Sequence, residues 1–291
     1  MFEYYDHTEP LDLDTLVEMI KMHYAFENWE KVILLSNDLL DSAKEIHKEL
    51  SKLDDTDKTF SKHIIFYFGY SYLMTGLSYQ KLRQYAKAKE YISYYSDLSW
   101  LHDSTETGER IINDFHFFSQ ANSLTIEVLG GNQLQIPEYI EFLDGNPKQV
   151  LPGLITILES AINYDYNVDE ELSYLNKHIQ DYRMYEEKVS GSYYLSYQYM
   201  LALYHQKNGK ISEAIDITLH MLLASDKLKN DKYFKKAISL FEVLRTHASV
   251  SQLKMCYDLL NDIIFKGEMI NEENINFRNN PAGTDHRYYL T

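Results

Sequence analysis

The side chains able to do chemistry are few and scattered. The single cysteine, Cys256, cannot close a disulfide within the chain. It falls on an amphipathic stretch with no base near it in sequence, which reads as an inert thiol. Eleven histidines are spread along the chain and no HExxH spacing occurs, so no helix face offers two imidazoles to a metal. His102 and His116 flank a helix start, and His205 sits inside a helical pattern. The run Asn208-Gly209-Lys210 has the Gly-Lys of a phosphate loop. However, Tyr204 stands where the first glycine is needed, and Ile211 follows in place of a hydroxyl residue. Gly130-Gly131 has no third glycine and no preceding strand. The acidic runs Asp54-Asp55-Thr56-Asp57 and Asp169-Glu170-Glu171 lack the glycine and closing glutamate of a calcium loop. They read as a solvated linker and a helix start. No catalytic residue, metal site or cofactor is expected, and the chain is not expected to be an enzyme.

The elements that would carry such side chains are helices. Apolar residues make up 45% of 291, enough for a sizeable core, and only 5 prolines and 11 glycines interrupt them. Helical periods run from about 14 to 26, 29 to 50, 61 to 82 and 85 to 100. A further helix leads from Ser104-Thr105 to Gly130-Gly131, where a glycine suits the left-handed cap. Pro137 fits the first turn of the next helix, and 145–147 is a turn. Helices over 149–164, 168–185, 192–207, 212–225, 231–247 and 251–266 follow, about twelve in all with no strand. Residues 52–59 read as a polar linker and 267–291 as a mobile tail, so the expected organisation is one helical domain, 1–266, and a tail.

Charge narrows the partners. The net charge of −16 speaks against direct nucleic-acid binding, which depends on neutralising phosphates with Lys and Arg. No Lys/Arg cluster stands out to suggest a local basic patch. No apolar run approaches a membrane span, the first ten residues do not read as a signal peptide, and one cysteine suits a reducing compartment. A cytoplasmic location is expected. The 26 tyrosines, several in pairs, offer large apolar rings with polar tips, chiefly for helix interfaces.

Two stretches share one spacing. Leu201, Ala202, His205, Gly209, Ile211, Ala214 and Met221 form the first; Tyr72, Gly76, Tyr79, Tyr85, Ala88, Ile92 and Tyr95 form the second. Looser relatives lie around Ile20, Trp29 and Val32, and around Ala121, Ala161 and Ala237. This pattern resembles the tetratricopeptide repeat (TPR) family, although most intervals between marks exceed the usual 34 or so residues. The chain as a whole is also similar to the peptide-responsive TPR regulators of Gram-positive bacteria, the Rap/RNPP group, but without a helix-turn-helix.

The resemblance implies an all-α fold: a right-handed superhelical solenoid of helical hairpins with irregular repeat length, in which small residues mark close helix approach. It also implies a concave groove that binds a peptide or partner protein. Carried over, the groove positions are Tyr70, Leu73, Leu77 and Gln80 in one repeat and Tyr199, Leu203, Gln206 and Lys207 in the other, with Asn122 at the equivalent place in a looser repeat. The function expected is that of a cytoplasmic regulator binding a peptide or protein. The alternatives are a self-assembling scaffold, dimeric through its terminal helices, or the TPR part of a transcriptional regulator.

Overall fold

The computed structural model describes residues 12–50, 61–103 and 105–271, of which 49, 50 and 266–271 are described by backbone alone. Twelve α-helices and no strand occur among the described residues. The chain divides into two compact units, Met1–Ile179 and Gln180–Thr291. The first holds α1 (Leu13–Ala25), α2 (Trp29–Leu50), α3 (Ile64–Lys81), α4 (Tyr85–Tyr95), α5 (Glu106–Leu129), α6 (Ile136–Gly145), α7 (Val150–Tyr164) and α8 (Asp169–Leu175). The second holds α9 (Lys188–Lys207), α10 (Ile211–Lys227), α11 (Asp231–Leu244) and α12 (Val250–Asn271). Successive helices pack on one another, as a helical repeat array requires: α1 on α2, α2 on α3, α3 on α4, and likewise α9 on α10 and α10 on α11. None of the described helices is long and apolar enough to cross a membrane.

Local chemistry starts the helices where polar residues precede apolar periods. Asp12 accepts from the Thr15 N–H at 2.8 Å, and Thr105 accepts from the Gly108 N–H at 3.0 Å. The turns are more uniform than the sequence that builds them. Five helix ends close with the same hydrogen-bond pair, for example Gln84 N–H to Tyr79 O at 2.8 Å and Lys210 N–H to His205 O at 2.9 Å. The residue in the left-handed conformation is Glu27, Arg83, Gly131, Gly209 or Lys229. Backbone geometry therefore repeats where residue identity does not.

Close approach is marked where it was expected. A Cβ on Gly76 would lie 3.3 Å from the Tyr91 Cβ, so α3 and α4 meet at a seam where an added side chain presses on α4. Ala88, Ala161, Ala202, Ala214 and Ala237 are buried, whereas Ala121 is not.

Several expected boundaries need correction, among them a start at Lys188 in place of 192 and an end at Leu244 in place of 247. The helix expected over 85–100 ends at Tyr95, because the Asp97 carboxylate accepts from the Ser99 N–H at 2.9 Å and starts a separate 3-10 turn. The helix expected over 168–185 stops at Leu175. There Asp144, at the end of α6, takes hydrogen bonds from Tyr174 (2.9 Å) and His178 (2.8 Å) and an ion pair from Lys177 (2.7 Å). These ties fix a 3-10 turn in place of continued helix. Finally, α12 extends to Asn271, so 267–271 are helical. The expected linker over 52–59 and the rest of the expected tail, 272–291, lie outside the described residues.

Candidate functional site

In the first unit, α3 is packed by α2, α4 and α5 together. It therefore has little free surface, and two proposed groove residues are core. Tyr70 is 1% exposed and Leu73 3% exposed. Tyr70 stacks on Phe66 at 5.2 Å, and burial pushes its phenol well above the usual range. Neither is open to a partner, which corrects their assignment. Leu77 and Gln80 are half-buried. Asn122 is also half-buried, and its Nδ2 donates to the buried Tyr95 hydroxyl at 3.0 Å, so this amide ties α5 to α4.

The second unit brings its predicted residues together. On α9, Tyr199, Leu203 and Gln206 are half-buried and Lys207 is exposed. The Lys236 ammonium of α11 lies 4.4 Å from the Tyr199 ring centre and 5.1 Å from that of Tyr233. Nearer the start of both helices, Asn230 Nδ2 donates to Ser192 Oγ at 3.2 Å. Two links offset by nearly the same number of residues mean that α9 and α11 run side by side and parallel. Helical spacing puts Ser192, Tyr199, Leu203 and Gln206 on one face of α9 and Lys232, Lys236, Ser239 and Val243 on one face of α11. Val243 is 68% exposed, an apolar side chain beside the valley between them.

At the starting ends of α9 and α11 a cavity of about 430 Å³ opens, whose charged lining is Glu186, Glu187 and Asp231 against Lys188 and Lys229, with Tyr185, Ser192 and Asn230 beside them. Its wall is held by Tyr185, which stacks on Tyr194 at 5.1 Å and whose hydroxyl accepts from the Gln180 N–H at 3.1 Å. Gly191 lets this wall close in: a Cβ there would lie 2.7 Å from the Tyr185 carbonyl oxygen. Also on α9, burial pushes the Tyr197 phenol up to about 12, so the ring is neutral packing.

The reading of charge also needs correction. Residues 226–236 contain five lysines, Lys227, Lys229, Lys232, Lys235 and Lys236, against Asp226 and Asp231, and Lys227 is ion-paired with Asp226 at 3.0 Å. The run was visible in the sequence, but the whole-chain balance of −16 hid it. It runs from the end of α10 through the α10–α11 turn into the first turns of α11.

Two clusters elsewhere have the residue types of acid–base chemistry and act as ties. His63 Nε2 meets Asp103 Oδ2 at 2.7 Å, while its Nδ1 caps α3 by accepting from the Ile65 N–H at 3.4 Å. Asp144 is held well below the usual carboxylate range by hydrogen bonds from Lys177, His178 and Tyr174. Among the described residues no group of three or more His, Cys, Asp or Glu is placed to hold a metal ion. Compared with known protein families, with curated proteins and with solved structures, the chain matches none of them.

Proposed function

We propose that this chain is a TPR-type cytoplasmic regulator that binds a peptide or a partner protein, without catalysis, along the α9–α11 face. The observation that carries this reading is the contact of Tyr199 with Lys236. It joins a predicted groove residue to the neighbouring helix of the same orientation, as the inner face of a helical array requires. Leu203 and Gln206 continue the face on α9. Tyr and Lys side chains that are partly open offer stacking, hydrogen bonding and charge to an extended backbone. A peptide-responsive role like that of the Rap/RNPP group is the finer form of this reading.

The test is a pull-down from native lysate with mass spectrometry that detects short peptides as well as proteins. A species retained by the wild-type chain and lost on Tyr199→Ala is expected. If the same species stays bound to both proteins, or if only the chain itself is recovered, the α9–α11 face is not the site.

A second reading, self-assembly, is favoured by one observation. Val250, Tyr257 and Ile264 recur every seven residues along α12 and all three are exposed. Such spacing is the seam of a helix pair. Under this reading, sedimentation of the wild type depends on concentration and that of Tyr257→Glu does not. Constant monomer mass for both proteins removes it.

A further inference from the structure

The exposed stripe on α12 carries an order of charge beside it that fixes how a second copy lies. We infer that two copies of the chain pair through α12 in antiparallel fashion, with a two-fold axis at Tyr257 and Lys254 of each copy beside Asp258 of the other, an inference that rests on the self-assembly reading above. One side of α12 is committed to its own unit. Gln252 Nε2 donates to Asp216 Oδ1 of α10 at 2.8 Å, and Gln252 and Cys256 are buried. Val250, Tyr257 and Ile264 lie where this packing leaves the helix open. Leu253 and Leu260, both half-buried, border them and complete the apolar pattern of a helix pair. The stripe is symmetric, with about 10 Å of helix between Tyr257 and either end residue. Antiparallel pairing at Tyr257 therefore sets Val250 against Ile264 of the second copy and the two Tyr257 rings against each other. Parallel pairing would match the stripe equally well, so charge decides between them.

Lys254 and Asp258 lie on one flank of the stripe, about 60° and 100° round the helix from Tyr257. Both are exposed, and neither takes part in an ion pair among the described residues. Asp262, one turn on, stands in the field of Lys227 within its own chain. The opposite flank holds Leu253, Cys256 and Leu260 and carries no charge. In an antiparallel pair with a two-fold axis, like flanks lie side by side and run in opposite directions. Lys254 of one copy then meets Asp258 of the other twice over, with an axial offset of about 3 Å that a lysine spans. A parallel pair sets Lys254 against the uncharged flank instead. The opposite charges thus favour the antiparallel register. A cavity of about 360 Å³ along this flank, lined among others by Lys254, Met255, Asp258 and Leu259, gives the second copy's lysine room.

Sedimentation and cross-linking of the full chain test this together. Lys254→Glu is expected to weaken dimerisation about tenfold, because two acidic groups then meet at each of the two contacts. Adding Asp258→Lys should restore the wild-type Kd to within about threefold, a rescue that damage to the fold cannot give. For direction, Val250→Cys and Ile264→Cys chains are oxidised singly and mixed, with the wild type, whose one thiol is buried, as the blank. Cross-linked dimer is expected from the mixture and from neither chain alone, since about 21 Å of helix then separates equivalent residues. Cross-linking of the Val250→Cys chain to itself, or a dimer indifferent to Lys254→Glu, overturns the antiparallel pair and leaves self-assembly standing. A wild type that stays monomeric at every concentration overturns both.

Discussion

Asp14 accepts from the Tyr67 hydroxyl at 2.6 Å and from the Ser61 hydroxyl and N–H at 2.7 Å each, joining α1 to the start of α3. Burial pushes its carboxyl up, but these donors outweigh burial and hold it below the usual value of 3.8. A depressed folded pKa stabilises the native chain above the unfolded value, and that contribution is lost as pH falls through the lower folded value. Asp14→Asn should therefore cost about 1 kcal/mol at neutral pH, after screening of a partly exposed site. The deficit should shrink below about pH 4 and close in stronger acid. Urea titrations of the two proteins across this range check both the size and the sign. Asn122 is the contrasting case. Asn122→Ala leaves the Tyr95 hydroxyl without this donor in the core, at a cost of about 1–2 kcal/mol. It should lower the urea midpoint and leave capture on the α9–α11 face unchanged.

At the scale of elements, the seam at Gly76 makes a direct prediction. Gly76→Leu forces α3 from α4 and should destabilise the chain by about 1–3 kcal/mol, seen as a lower thermal midpoint. This seam was legible in the sequence, because a small residue set between Tyr72 and Tyr79 at helical spacing marks where a second helix comes close. Helix number and most helix starts were legible too, through period and capping residues. The turns were legible only at Gly131 and Gly209, since Glu27, Arg83 and Lys229 adopt the same conformation without glycine as a marker. The end of α8 was not legible, because it depends on Asp144, distant in sequence. Of the expected groove positions, only their exposure can be compared with the structure. A repeat template cannot know that α5 also packs on α3, so Tyr70 and Leu73 were misplaced. On α9 the same template brought Tyr199 to a partly open face.

At the scale of the whole molecule, a net charge of −16 repels itself in the folded state. Raising salt from about 0.01 to 0.15 M should screen this repulsion and raise the thermal midpoint, measurable by calorimetry at fixed neutral pH. The chain's one thiol offers a different kind of readout. Cys256 lies on α12, is 4% exposed, and burial pushes its pKa up. In the closed molecule it is both hidden from reagent and poorly ionised. Alkylation can then proceed only as fast as α12 lets go, which makes the side chain a stopwatch for the opening of that helix.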